Sequence, residues 1–241
     1  MALPSPTKNW HSDTYDSISP SRPELSIAGR RIVITGGGYG LGRELVKTFA
    51  EAGASEIAIL GRSEGPLVET TKIIVEKYPK TKVSYFVADI TDLAAVKKAA
   101  ESFGKWNTLI LNAGYMPNKG AVGSSDVPEF WKGYEINVKG AIVALSAFLP
   151  AKGEDAVVVA ISAAGIAFPK NMTGGFISYS ASKHALVNLI EYVAVKEPDV
   201  YFVNIHPGIL ETAMFAKFNN PDLKPNTCKF IKACVDLANC I

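Results

Sequence analysis

Residues 31–46 read Arg31-Ile32-Val33-Ile34-Thr35-Gly36-Gly37-Gly38-Tyr39-Gly40-Leu41-Gly42-Arg43-Glu44-Leu45-Val46: a short apolar run enters a glycine-rich turn, and an amphipathic stretch begins at once. The placement says more than the glycines do. A strand that breaks into the first turn of a helix leaves N–H groups there, and an anion reaches them only where no Cβ blocks its approach. Gly36, Gly40 and Gly42 take the required offsets, with Thr35, Tyr39 and Leu41 beside them, and the pattern predicts a seat for a diphosphate. A flexible strand-to-helix connection is the plain alternative.

Outward from this turn the same alternation repeats. Short runs rich in Val and Ile predict strands over Arg31–Thr35, Glu56–Leu60, Lys82–Val87, Thr108–Leu111, Ala156–Ile161 and Val200–Ile205. Between them, helical periodicity predicts Leu41–Ala52, Pro66–Tyr78, Asp92–Phe103, Val127–Leu149 and Tyr179–Lys196. Strands apolar on both faces belong in a parallel sheet covered by helices on each side. The expected fold is therefore α/β: a doubly wound, three-layer single domain from residue 29 to 241, with its ligand crevice at the C-terminal strand ends. Pro4, Pro6, Pro20 and Pro23 among Ser, Asp and Asn make residues 1–28 an extended lead.

Composition narrows the function. Of 241 residues, 48% are hydrophobic and 20% charged, with a net charge of +2, which excludes a disordered chain and argues against a nucleic-acid partner. The longest apolar stretch, Ala141 to Pro150, falls short of the roughly 20 residues a bilayer span needs. With no basic-then-apolar leader, a cytoplasmic protein without membrane partners is expected. Cys228, Cys234 and Cys240 lack the paired spacing of a zinc site and read as helix-packing residues, so no metal is expected.

The second predicted strand ends Ile59-Leu60-Gly61-Arg62, about twenty residues past the glycine turn, where a dinucleotide fold selects its cofactor. An acid there would favour NAD. Arg62 instead offers a charged donor fork to a 2′-phosphate, so NADP(H) is expected over NAD, against the alternative of a solvated loop arginine. Asp89, ending the third strand, is placed to touch the adenine or to cap a loop. Further on, Tyr179-Ser180-Ala181-Ser182-Lys183 sets a phenol and an ammonium four residues apart, on one face of a helix. The same spacing recurs at Tyr78 and Lys82, Tyr115 and Lys119, and Tyr192 and Lys196. Pro79 and Pro117 disfavour helix across the first two, and the last lies far down its helix. Only Tyr179 closely follows a strand, the one ending Ile161-Ser162-Ala163-Ala164-Gly165.

Taken in order, Thr35–Gly42, Asn112-Ala113-Gly114, Asn137, Ser162, Tyr179 with Lys183, and Pro207-Gly208 with Thr212 resemble the short-chain dehydrogenase/reductase family, a Rossmann-like fold that binds NAD(P). The segment Tyr15–Ser26 followed by Gly29-Arg30 resembles fungal members, which points to secondary metabolism. The resemblance implies that Lys183 also holds the nicotinamide ribose hydroxyls and that Asn137 supports a water linking Lys183 to solvent. It further implies that Asn112 braces the central sheet, and that Ala113, Gly114, Pro207, Gly208, Ile209 and Thr212 border the cofactor.

These residues suggest an oxidoreductase acting on a ketone or secondary alcohol of a small molecule. Tyr179 would exchange the proton of the substrate oxygen, its pKa of about 10 lowered by Lys183, while Ser162 hydrogen-bonds that oxygen. After Ile205 the chain shows no further strand of the kind the family carries, which leaves homo-oligomerisation in doubt. Ala213–Phe230 is expected to form a substrate lid, where Met214, Phe215, Phe218 and Phe230 either favour an apolar substrate or pack the tail. Two other readings are a cofactor-binding cyclase, isomerase or sensor, and an inactive regulatory form.

Overall fold

Side chains alternate along a strand, so a strand that is apolar throughout must feed two cores at once. In the computed structural model, β1 (Arg31–Thr35) does this. Its Val33 joins Leu109, Leu111 and Val158 in one apolar layer, while Ile32 and Ile34 join Ile57, Ile59, Val157 and Val159 in the other. The structure describes residues 26–163, 175–208 and 210–217, together with 19, 22, 23 and 166.

The remaining strands are β2 (Glu56–Gly61), β3 (Lys82–Val87), β4 (Trp106–Leu111), β5 (Lys152–Ile161) and β6 (Val200–Ile205). All pair in parallel, in the order β3-β2-β1-β4-β5-β6. The helices are α1 (Gly40–Glu51), α2 (Glu64–Lys77), α3 (Leu93–Phe103), α4 (Val127–Tyr134), α5 (Gly140–Phe148), α6 (Ile177–Lys196) and α7 (Ala213–Ala216). Leu45, Val46 and Phe49 of α1 with Leu67 and Ile74 of α2 close one face. Val96 of α3, Phe148 of α5, and Leu186 and Ile190 of α6 close the other. The doubly wound α/β expectation holds. Chain order reverses between β1 and β4, and that is where a crevice opens at the C-terminal strand ends.

Differences from the expected elements have local causes. β5 starts at Lys152 rather than Ala156 because the polar segment Lys152-Gly153-Glu154-Asp155 still pairs, Lys152 against Trp106, across an irregularity in register. β4 likewise begins at Trp106, whose buried indole N–H donates to the Phe148 carbonyl at 2.7 Å. The expected helix Val127–Leu149 is interrupted by a π-turn over Glu135–Lys139. Ile27, within the stretch read as an extended lead, is buried in the α1 layer, and its N–H donates to the Ala52 carbonyl. Most of that lead, the three cysteines, residues 218–230 of the expected lid and the region where a seventh strand was sought lie outside the described residues. Among the described residues no helix is long and apolar enough to cross a membrane.

Candidate active site

The turn after β1 is built so tightly that its glycines have no substitute. A Cβ on Gly42 would lie 2.0 Å from the Gly36 carbonyl oxygen, and Gly40 holds a φ of +47°, in the left-handed region. α1 starts at Gly40 with no side-chain cap from Tyr39 and no acid in its first turn, so the N-terminal end of the helix dipole faces the crevice uncompensated. Arg43, to which the sequence reading gave no role, braces the turn from outside. Its guanidinium donates to the Gly38 carbonyl at 3.0 Å and pairs with Glu69 at 2.8 Å. Tyr39 stands exposed at the crevice rim, and Leu41 packs half-buried on the α1 layer.

Thr35 and Asn112 tie β1 to β4 across the chain reversal. The buried Thr35 hydroxyl donates to the Ile110 carbonyl at 3.2 Å and accepts from the Asn112 and Ala113 N–H groups, each at 3.0 Å. Asn112 Nδ2 returns bonds to the carbonyls of Thr35 at 2.9 Å and Gly36 at 3.2 Å. The geometry is that of a brace, and it holds the glycine turn against the Asn112-Ala113-Gly114 segment.

The next wall of the crevice is assembled from three elements. At the π-turn Asn137 is 1% exposed and every polar atom of its side chain is engaged. Its Oδ1 accepts from the Tyr115 N–H at 2.8 Å, and its Nδ2 donates to the Tyr115 carbonyl and to Ser182 Oγ, both at 2.9 Å. Ser182 in turn donates to the Tyr179 carbonyl at 2.9 Å. Asn137 thereby links the loop after β4 to the helix that carries Tyr179 and Lys183. A Cβ on Gly114 would lie 3.3 Å from Asn137 Oδ1 and 3.6 Å from Lys183 Nζ, so these two groups converge on one point. Sequence reasoning missed Ser182, a lone serine whose partner is 45 positions away.

Lys183 is buried, and its Nζ donates to the Ile161 carbonyl at 2.6 Å, directly before Ser162. Ser162 is itself buried, its N–H extending the β5–β6 pairing to Ile205 at 2.7 Å. The Lys183 ammonium stands 6.0 Å from the centre of the Tyr179 ring. The expected lowering of the phenol pKa is not found in this arrangement: burial dominates and pushes Tyr179 up to about 12. Burial also pushes Lys183 down to about 8.

The Lys183 shift has a measurable consequence. Below about pH 8 the lysine is charged in both states, and the folded chain bears the full desolvation penalty. Between about 8 and the ordinary value of 10.5 the folded chain has released a proton that the unfolded chain keeps, so this contribution to stability improves as pH rises. Lys183→Met is expected to abolish that rise. After the lost bond to Ile161 is allowed for, it is also expected to stabilise the chain at pH 7 by about 2 kcal/mol. Urea denaturation of both proteins at pH 7 and 9.5 checks this.

Farther along the crevice, Arg62 is exposed at the end of β2. Asp89 accepts from the Thr91 N–H at 2.8 Å and hydroxyl at 2.7 Å, a local loop-capping role. Burial acts to raise its pKa, but the two Thr91 bonds and the charges of Arg62 and Lys139 together hold it low. Thr212 approaches the turn from the other side, its Cγ2 3.3 Å from where a Gly40 Cβ would be. Pro207 and Gly208 follow β6, and Met214 is half-buried on α7. Ile209, Phe218, Phe230 and the side chain of Phe215 lie outside the described residues.

A parallel sheet whose chain order reverses between β1 and β4, with a glycine turn at an uncapped helix start beside that reversal, defines a Rossmann-like fold. The short chain dehydrogenase family model matches residues 30–222, and this chain belongs to that family. It is similar to the short chain dehydrogenase tazN of Aspergillus terreus, 35% identical over 213 residues that cover 84% of this chain and 45% of that protein. It thus spans less than half the length of that relative. Over 182 residues it is 37% identical to cis-2,3-dihydrobiphenyl-2,3-diol dehydrogenase of Paraburkholderia xenovorans, covering 70% of this chain and 61% of that one. Among solved structures, a short chain dehydrogenase of Shigella flexneri complexed with NADP superposes with a TM-score of 0.79 at 23% identity, over 90% of this chain and 92% of that one. Levodione reductase superposes with a TM-score of 0.75 at 26% identity, over 88% and 91%. The likeness to fungal members is borne out by the Aspergillus relative.

Proposed function

We propose that this chain binds NADP(H) in the crevice between β1 and β4 and interconverts a ketone and a secondary alcohol of a small organic molecule. The observation that carries this reading is the convergence of Lys183 and Asn137 on Gly114, with Tyr179 one helical turn from Lys183 and Ser162 next to the carbonyl that Lys183 holds. The residues present fit a dinucleotide: the missing Cβ atoms at Gly36, Gly40 and Gly42 and the uncapped start of α1 leave a cradle for the diphosphate, and Arg62 offers a partner to a 2′-phosphate. A dinucleotide held there by the glycine turn and Arg62 would supply hydride-transfer chemistry.

The chain's own residues supply the rest. Tyr179 donates its hydroxyl proton to the carbonyl oxygen as that oxygen gains charge, and Ser162 hydrogen-bonds the same oxygen. Burial pushes this phenol up to about 12, so it holds its proton at neutral pH, the state an acid needs. Asn137 and Ser182 fix the helix that presents Tyr179, and Lys183, its Nζ 6.0 Å from the centre of that ring, is placed to return a proton to it. The names of two relatives support the substrate class, one a dehydrogenase named for a diol and one a reductase named for a dione. NADP in the Shigella neighbour supports the cofactor.

Fluorescence titration with NADPH, followed by a panel of ketones read at the reduced-nicotinamide absorbance, tests the proposal. Binding with oxidation is expected. Binding without turnover across the panel would favour a non-redox role, and no binding an inactive form. Arg62→Asp is expected to weaken NADPH binding by about 10- to 100-fold and to leave NADH within a few-fold, because only the 2′-phosphate loses a charge-assisted partner.

A further inference from the structure

We infer that Lys217 is a positioning residue that clasps residues 210–217 across the mouth of the crevice and so retains the dinucleotide, an inference that rests on the cofactor assignment above. The crevice has two walls, the glycine turn after β1 and the loop after β4. The segment touches both. At one end Thr212 lies against Gly40, close enough that a Cβ on that glycine would sit 3.3 Å from Thr212 Cγ2. At the other, just past α7, Lys217 Nζ donates to the Met116 carbonyl at 2.9 Å, a contact spanning 101 positions of chain. A strap fixed to both walls closes over whatever lies between them.

The seat for Lys217 is prepared by other residues. Tyr115 donates its hydroxyl to Glu129 at 2.7 Å, and its ring receives Lys217 Nζ at 4.7 Å and Lys132 Nζ at 5.1 Å from its centre. Donation to a carboxylate enriches the ring that the cations face. Burial and the adjacent Glu129 push this phenol up to about 12, so the seat keeps its proton through the working pH range. The Tyr115 backbone is held on both sides by Asn137, so the clasp closes onto a rigid part of the catalytic wall. On the strap side the clasp is a flexible lysine side chain, which suits a closure that must open for exchange of cofactor.

The test compares the full-length wild-type chain with Lys217→Met, Lys217→Arg and Tyr115→Leu. Hydrogen exchange at the backbone of residues 213–217, measured without cofactor, is expected to speed up about tenfold in Lys217→Met and Tyr115→Leu. It should stay near wild type in Lys217→Arg, with the melting temperature of the lysine variants unchanged. NADPH release, followed by stopped-flow fluorescence, is expected to accelerate by a similar factor, with KM for NADPH rising and kcat for ketone reduction changing little. Wild-type exchange in Lys217→Met overturns the clasp. Faster exchange with unchanged release overturns its role in retention. A wild-type chain that binds no NADPH overturns the cofactor assignment itself, a result distinct from either.

Discussion

Tyr179→Phe is expected to lose ketone reduction by about 10²- to 10⁴-fold in kcat, the range a positioned general acid contributes, while NADPH affinity stays within about two-fold. The substitution removes one oxygen and leaves the ring. The contacts that set the helix persist: Ser182 bonds the backbone carbonyl of residue 179 rather than its side chain, and Lys183 keeps its bond to Ile161. The phenol makes no contribution to the glycine turn, so the cradle is untouched. A variant with wild-type kcat would remove Tyr179 from the reaction.

Gly42→Ala is expected to cost several kcal/mol of stability and to abolish NADPH binding. A Cβ at this position meets the Gly36 carbonyl oxygen at 2.0 Å, its carbon at 2.8 Å and Asn112 Nδ2 at 2.7 Å. The obstacles are backbone on one side and the β1–β4 brace on the other, neither of which yields as a free side-chain end does. Relief requires the turn to open, which separates the N–H groups of α1 from the positions a diphosphate needs. Gly123→Ala is the matched control, since its added Cβ meets nothing within 4 Å and should change Tm and binding little. Chemical denaturation and fluorescence titration of both proteins check the contrast. If Gly42→Ala folds poorly, retention of NADPH affinity by its soluble fraction would still refute the role given to the turn.

The strands, most helices and the two motifs that face the crevice were legible because each is a short-range statement. A run such as Ile32-Val33-Ile34 between turn residues reads as a strand from its own atoms, and the four-residue spacing of Tyr179 and Lys183 fixes a common helix face. Asn112 as a brace came with the family resemblance rather than from its own neighbourhood, since the carbonyls it bonds lie 76 and 77 positions away. The polar start of β5 was not, because Lys152-Gly153-Glu154-Asp155 carries no apolar alternation and pairs only because Trp106 is beside it. Nor was the π-turn at Glu135–Lys139, which turns Asn137 inward through an extra residue per turn that no composition signals.

Chemistry depended on context more than fold did. Placing an ammonium four residues from a phenol suggests a lowered phenol pKa. In the folded chain both groups are desolvated and the lysine is committed to Ile161, so the phenol moves up and the lysine down. The partners of Asn137, the Tyr115–Glu129 pair and the reach of Lys217 to Met116 likewise join residues from 14 to 101 positions apart. Local pattern was enough to specify a parallel α/β sheet, a glycine turn at a helix start and a Tyr–Lys helix, because backbone sterics and side-chain periodicity act within a few residues. Which charges are buried, and which loop closes against which wall, arise only when distant segments exclude water from one another, since desolvation belongs to the packed whole and not to any stretch of chain.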